Sequence, residues 1–180
     1  MSQSTKPCLV HYGDWDEVTD SHPAMKYMRT YTEMYDKRDL DNLYENYIAS
    51  DFTYSKSTGQ IFPSGKESWD AVTGDYRLFT VYRHEPYMLT CWETDDGSGW
   101  EMLGNAWLFA NLPGDGSAAK VYQDLTGKEW EIRIPAGFFF KYRKEGGEIK
   151  VASIAITSDS GPVVVELLKR GVMKPSDLGL

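Results

Sequence analysis

Cysteine is scarce: the 180 residues include two, Cys8 and Cys91. Two thiols cannot build a disulfide framework and these form no CxxC pair, so free thiols in a reducing compartment are expected. Long apolar runs are missing as well. Nothing approaches the roughly 18 consecutive apolar residues of a spanning helix. The N-terminal MSQSTKPCLVHYGDWDE has no apolar signal-peptide core, so the expectation is a cytoplasmic protein with no membrane partner. Basic charge is in deficit, 19 Lys and Arg against 27 Asp and Glu, for a net charge of -8. Phosphate backbones are held by clustered cations, so no nucleic acid partner is expected. Histidine is limited to His11, His22 and His84, without HxH or HExxH spacing, so no metal site is expected. No GxSxG marks a serine hydrolase, and GDGSAAK at 114–120 lacks both the spacing of a phosphate loop and a helix after it.

What is plentiful is aromatic surface. Tyr, Trp and Phe make up 14% of the chain, with 12 Tyr, 6 Trp and 7 Phe, more flat rigid area than the core of one domain needs. Such a surplus suits a ligand cavity or a subunit interface. The length is one domain's worth. Residues 1–20, with Pro7, Gly13 and no helical or strand period, read as an N-terminal arm, and 21–180 as a single domain.

From Ser21, Pro23 suits a first helical turn, and Met25, Met28, Tyr31 and Tyr35 recur at helical spacing up to Arg38. Asp39 can cap a second short helix with the stripe Leu40, Leu43, Tyr44, Tyr47 and Ile48. DFTYSK at 51–56 reads as a strand. Ser64 and Glu67 have capping-box spacing, and Trp69, Val72, Tyr76 and Phe79 continue it as a third helix. Strands follow over 85–94 and 100–112, joined by the turn residues 95–99, then over 119–125, 129–134 and 138–144. Gly146-Gly147 is a two-residue hairpin signal leading into 148–158, and Gly161-Pro162 opens a last helix. The order predicts an α+β layout, helices packed on one side of a curved antiparallel sheet. In GWEMLGNAWLFANL both alternating sets of side chains are largely apolar, which predicts that both faces of this sheet are covered, one by helices and the other by a second subunit.

Three blocks resemble one family. MYDKRDLDNLYENYIA (34–49) is similar to the helix-end segment of fungal scytalone dehydratases. YQDLTGKEWEIRI (122–134) is similar to that family's Y-x-D-x-T-x-K-E strand pair, and FFFKYRKEGGEIKVA (138–152) to its closing hairpin. The blocks keep their order and spacing from about 22 to 158. The resemblance implies the cone-shaped NTF2-like (SnoaL-like) α+β barrel, with a deep pocket that dehydrates a small polyketide-derived alcohol without metal or organic cofactor. On this resemblance Tyr35, Asp36, His84 and Tyr54 are the catalytic candidates, and Tyr31, Lys56, Trp69, Asn105, Trp107 and Phe138 the substrate-binding ones. Two family positions differ: its second histidine falls at about Asn105 to Trp107, and its pocket asparagine at about Phe138. The tail TSDSGPVVVELLKRG also departs from the family's pocket-closing segment, which implies a different substrate, and Phe138 in place of a polar pocket residue implies a larger and more apolar one.

Dehydration beside a carbonyl needs a base for the acidic C–H, an acid for the departing hydroxyl and a donor for the enolate oxygen. One imidazole can serve both transfers. His84 is the candidate imidazole, Asp36 would fix its tautomer, and Tyr35 and Tyr54 would polarise the carbonyl. The expected function is a cofactor-free lyase or isomerase/cyclase on a small hydrophobic polyketide- or terpenoid-type metabolite, as a homodimer or homotrimer. The alternatives are a pericyclase-type cyclase that works by shaping its substrate, and a non-catalytic binding protein.

Overall fold

A computed structural model describes residues 8–114 and 121–179. The start of the arm (1–7), most of the GDGSAAK loop and the beginning of the 119–125 run lie outside the described residues. The order is β1 (Cys8–Tyr12), α1 (Glu17–Ser21), α2 (Pro23–Asp36), α3 (Leu40–Tyr47), β2 (Ile48–Ser55), α4 (Lys66–Gly74), β3 (Val81–Glu93) and β4 (Gly99–Asn111). It continues with β5 (Tyr122–Gln123), β6 (Glu129–Trp130), β7 (Ile132–Glu145), β8 (Glu148–Ser158) and α5 (Gly161–Lys169), and ends in a 3-10 turn at Pro175–Leu178. Six strands form one curved sheet in the order β1-β3-β4-β7-β8-β2, antiparallel except for the β2–β8 edge pair, and β5 and β6 form a separate small hairpin. The α2–α4 group lies against the concave face, which is the expected α+β cone.

The apolar spacing of α2 explains its placement. Met25, Met28, Tyr31, Thr32 and Tyr35 form one buried stripe, and the helix begins at Pro23, where a missing N–H costs nothing. The His22 ring, rather than a hydroxyl, caps it by accepting from the Met25 N–H at 3.4 Å. Termination is abrupt. Arg38 adopts φ 60, a left-handed conformation unusual for a side-chain-bearing residue, and the Asp39 N–H returns to the Met34 carbonyl at 3.1 Å. The Arg38 guanidinium then donates to the Phe79 carbonyl at 2.6 Å, tying the helix end to the start of β3.

Several local expectations are corrected. The arm, which shows no helical or strand period in the sequence, does carry regular structure: Cys8–Tyr12 pairs with Met88–Trp92 as an edge strand, and Glu17–Ser21 is a capped helical turn. Asp39 makes no capping bond to α3 and instead accepts from the Asn42 side chain. Ser64 and Glu67 form no capping box. Gly65 is the N-cap, at φ 82, and its N–H donates to the Phe52 carbonyl at 2.7 Å, so close to β2 that a Cβ there would lie 2.9 Å from the Ser50 carbonyl oxygen. The helix α4 ends at Gly74, so Tyr76 and Phe79 lie beyond it. The runs 129–134 and 138–144 are mostly one strand, β7, which passes through Pro135 and Gly137 without a turn. Gly146 and Gly147 turn at φ 59 and φ 90, as a two-residue hairpin requires.

At the C-terminal side, Arg170 reaches back from α5 to the Leu112 carbonyl at 3.2 Å and the Glu131 carboxylate at 3.1 Å, holding the helix across one mouth of the cone. On the convex face Phe109 is covered by Trp130 of the small hairpin, whose indole N–H donates to buried Asp124 at 2.9 Å. Leu103 stays 49% exposed on that face.

Inside the cone Gly104 sits opposite Phe138 in register. A Cβ at Gly104 would lie 2.6 Å from the Phe138 ring tip and 2.8 Å from the Met88 carbonyl oxygen. The glycine therefore provides the hollow into which Phe138 folds. Gly104→Ala should destabilise the protein by roughly 1–3 kcal/mol, the usual cost of overpacking, read as a lower urea midpoint at unchanged slope.

Candidate active site

The end of α2 meets the start of β3 through a single carboxylate. Asp36 is the last residue of α2, where the negative end of the helix dipole disfavours an anion by about 0.3–1 kcal/mol. It is offset by stronger bonds. β1 stops at the Tyr12–Met88 pair, and beyond that end the His84 backbone N–H donates to both Asp36 oxygens, at 3.1 and 3.0 Å. The His84 ring adds Nδ1 to Asp36 Oδ1 at 2.6 Å. Hydrogen bonds to a charged group contribute about 1.5–3 kcal/mol each, so the cluster outweighs the dipole. Tyr82 completes the junction by donating its hydroxyl to the Tyr35 carbonyl at 3.0 Å.

Both oxygens of Asp36 accept, so Nδ1 of His84 is the donor and carries the ring proton. Nε2 is then an acceptor, and its partner is the Tyr76 hydroxyl at 2.9 Å. The three side chains form a chain, carboxylate to imidazole to phenol. Burial pushes the Tyr76 phenol well above its ordinary range, so it enters the chain as a protonated donor.

His84 and Tyr76 stand where two chambers meet. The narrow chamber, about 60 Å³, is walled by Met28, Tyr31, Thr32 and Tyr35 of α2 and by Phe138 and Phe140 of β7. The wide one, about 330 Å³, runs under α5 past Tyr54, Lys56 and Asp75, with Val163 and Val164 as its roof. Tyr76, His84, Ala106, Ala136 and Ile156 line both. The wide chamber alone is within the usual range for small-molecule pockets. A second polar station stands in it: Asp75 accepts from the Tyr54 hydroxyl at 2.8 Å and from Lys56 Nζ at 2.6 Å.

The predicted residues divide accordingly. Tyr31, Tyr35, His84 and Phe138 line the narrow chamber; Tyr54 and Lys56 line the wide one; Asp36 stands behind His84. Three do not reach the cavity. Trp69, 2% exposed, is packed behind Tyr35 against Tyr44 and Phe52. Asn105 and Trp107 point to the convex face, because Ala106 between them points inward and side chains alternate along a strand. There Trp107 is sandwiched by Tyr87 at 5.2 Å and the Arg133 guanidinium at 4.3 Å. Nor are the two tyrosines free to polarise a carbonyl with their protons, since Tyr35 donates to the Val72 carbonyl at 3.3 Å and Tyr54 to Asp75. Asp75 and Tyr76 were not predicted as site residues. The signal for them is Gly74, a helix-stopping residue that places the next two in a turn rather than on a buried helical stripe.

Among the described residues no three His, Cys, Asp or Glu side chains come together as a metal site, and no helix is long and apolar enough to cross a membrane.

A curved sheet wrapped around an aromatic cavity and closed by helices is the NTF2-like, or cystatin-like, architecture. No family model matches the sequence, and no curated protein matches it either. Solved structures do share the fold. Aln2 from a Streptomyces species superposes with a TM-score of 0.56 at 14% identity, over 78% of this chain and 91% of that one. The hexachlorocyclohexane dehydrochlorinase LinA-type3 of Novosphingobium barchaimii gives 0.56 at 14% identity, over 76% and 84%. A protein of unknown function with a cystatin-like fold from Nostoc punctiforme gives 0.55 at 16% identity, over 77% and 90%.

The phenols have a consequence for stability. Burial raises Tyr31, Tyr35, Tyr76 and Tyr142 well above the ordinary value, and the unfolded chain titrates near it, at about pH 10. Below that pH both states keep these protons and the phenols make no difference. Above it the unfolded chain loses them while the folded protein holds them, so stability falls as pH rises. Urea midpoints should decline above about pH 10, and Tyr31→Phe should make the decline shallower.

Proposed function

We propose that this protein is a cofactor-free, cytoplasmic lyase or isomerase/cyclase, of the scytalone dehydratase-like branch, acting on a small hydrophobic polyketide- or terpenoid-type metabolite. One observation carries the reading: the Asp36 carboxylate 2.6 Å from the His84 ring, at the wall of an apolar cavity. Asp36 holds the proton on Nδ1, which leaves Nε2 basic, and it stabilises the imidazolium that forms when the ring accepts a proton. The same imidazolium can return that proton to a departing hydroxyl, so elimination or isomerisation needs no second base. Lys56, with ammonium protons beyond the one given to Asp75, is the donor placed to hold a developing enolate oxygen in the wide chamber. The dehydrochlorinase that shares the fold supports elimination as a chemistry this architecture can host.

The apolar wall common to the two chambers favours a second reading. Ala106, Ala136 and Ile156 line both, and with Leu108, Ile134 and Val163 they give the wide chamber a surface suited to shaping a reactive polyene or polyketide, with the rings of the narrow chamber at its inner end.

The two readings separate on one panel of hydroxylated cyclic ketones of polyketide type, followed by mass spectrometry. Under acid-base chemistry His84→Ala lowers kcat roughly 100-fold or more, as loss of a general base does, and Asp36→Asn also lowers it by favouring the wrong tautomer. Under substrate shaping both changes are mild, and Phe138→Ala or Tyr31→Ala changes the products. Retention of a panel member without turnover would favour a binding protein.

The reading includes a homodimer or homotrimer joined through the convex face, where Leu103 is exposed beside the tilted Trp92–Phe139 ring pair. The edge strand β1 extends this face and does not cover it. Sedimentation at tens of micromolar should give a dimer or trimer; a monomer would count against the interface.

A further inference from the structure

We propose that Tyr76, and not His84 itself, is the residue that exchanges protons with the substrate, so that the catalytic unit is the relay Asp36–His84–Tyr76. The inference rests on the acid-base reading of the Asp36–His84 pair and goes one residue beyond it. Neither ring nitrogen of His84 is free: Nδ1 is taken by Asp36 at 2.6 Å and Nε2 by the Tyr76 hydroxyl at 2.9 Å. His84 lines both chambers, but a substrate can bond to Nε2 only by displacing the Tyr76 hydroxyl. Tyr76 lines both chambers, and its oxygen keeps lone pairs after donating its proton to Nε2. The tyrosine is also held in place, by ring contacts to Tyr35 at 4.9 Å, Tyr82 at 5.1 Å and His84 at 5.2 Å, so swinging it off Nε2 would break packing on three sides.

The relay solves an acid-base problem that burial creates. A buried phenol is a poor acid, and its phenolate, though a strong base, is hardly populated at rest, as the upward shift of Tyr76 reflects. If it passes one proton on as it takes another, no phenolate forms. The substrate C–H bond breaks and its proton goes to the Tyr76 oxygen. The Tyr76 O–H proton moves to Nε2, giving an imidazolium balanced by the Asp36 carboxylate, and the C–H electron pair moves into the substrate as an enolate. In the return step Nε2 gives its proton back to the tyrosine oxygen, which passes its own to the departing hydroxyl as the C–O bond breaks and water leaves. Every proton is conserved and no outside reactant is required.

The probe is a nitrobenzisoxazole, a small planar molecule whose C–H is removed by a base as its N–O bond opens to a coloured phenolate. Tyr76→Phe, which keeps the ring and removes the hydroxyl, should lower kcat about 100-fold, within the range of general acid-base catalysis, with KM little changed. The wild-type protein should show a normal solvent deuterium isotope effect, because the phenol proton is exchangeable and in flight; direct abstraction of a carbon-bound proton by Nε2 lacks it. This second readout uses the unmodified protein and does not depend on how the variant folds. A Tyr76→Phe protein as fast as the wild type or faster would show that the tyrosine only covers Nε2, overturning the relay while leaving the Asp36–His84 pair intact. Wild-type turnover in His84→Ala, or a wild-type protein no faster than free imidazole at equal concentration, would overturn the pair itself.

Discussion

The structure hangs on one carboxylate at the wrong end of a helix. Asp36 closes α2 where the dipole disfavours it, and is retained there by the backbone and ring of His84. That junction sets the distance between α2 and β3, and hence the space between the helical layer and the concave face of the sheet. The same bonds that hold the layers apart orient the imidazole. Support and chemistry are one feature, which is why an anion is kept at a helix end that disfavours it.

Around this junction the cavity is built mostly of hydrocarbon. Ala106, Ala136 and Ile156 project small or aliphatic side chains from three successive strands, while the phenols come from α2 (Tyr31, Tyr35), β2 (Tyr54) and the turn after α4 (Tyr76). In such surroundings water competes little, so the few polar contacts act at higher strength than they would in solvent. Two stations result, His84 with Tyr76 and Lys56 with Asp75 and Tyr54, and the adjacent residues Asp75 and Tyr76 serve one each. Gly74 makes this possible by ending α4 one residue before them.

Legibility followed periodicity. The stripe of α2, the helix α5, the Gly146-Gly147 turn and strand β8 after it are readable because their signals are local; β7 reads as two runs because Pro135 and Gly137 look like a break. The site was readable in part: Tyr35, Asp36, Tyr54 and His84 came through resemblance to a motif, not through geometry. Asn105 and Trp107 were misassigned because both alternating sets of β4 are apolar, so parity alone could not say which faced inward. Trp69 was misassigned because a buried aromatic on a helix stripe has the same pattern whether it lines a cavity or fills the core behind one.

By itself, the sequence determined the class of architecture, since turns, caps and hydrophobic periods act between residues close along the chain. It also determined which side chains were available for chemistry, because of the three histidines His84 alone falls in the folded body next to an expected helix-to-sheet junction. Only the tertiary structure decided which groups meet. Asp36 and His84 are separated by 48 residues, and Tyr54 and Asp75 by 21. Their contacts depend on where β1 stops, where α4 ends and how the sheet curves, and those follow from packing the whole chain at once.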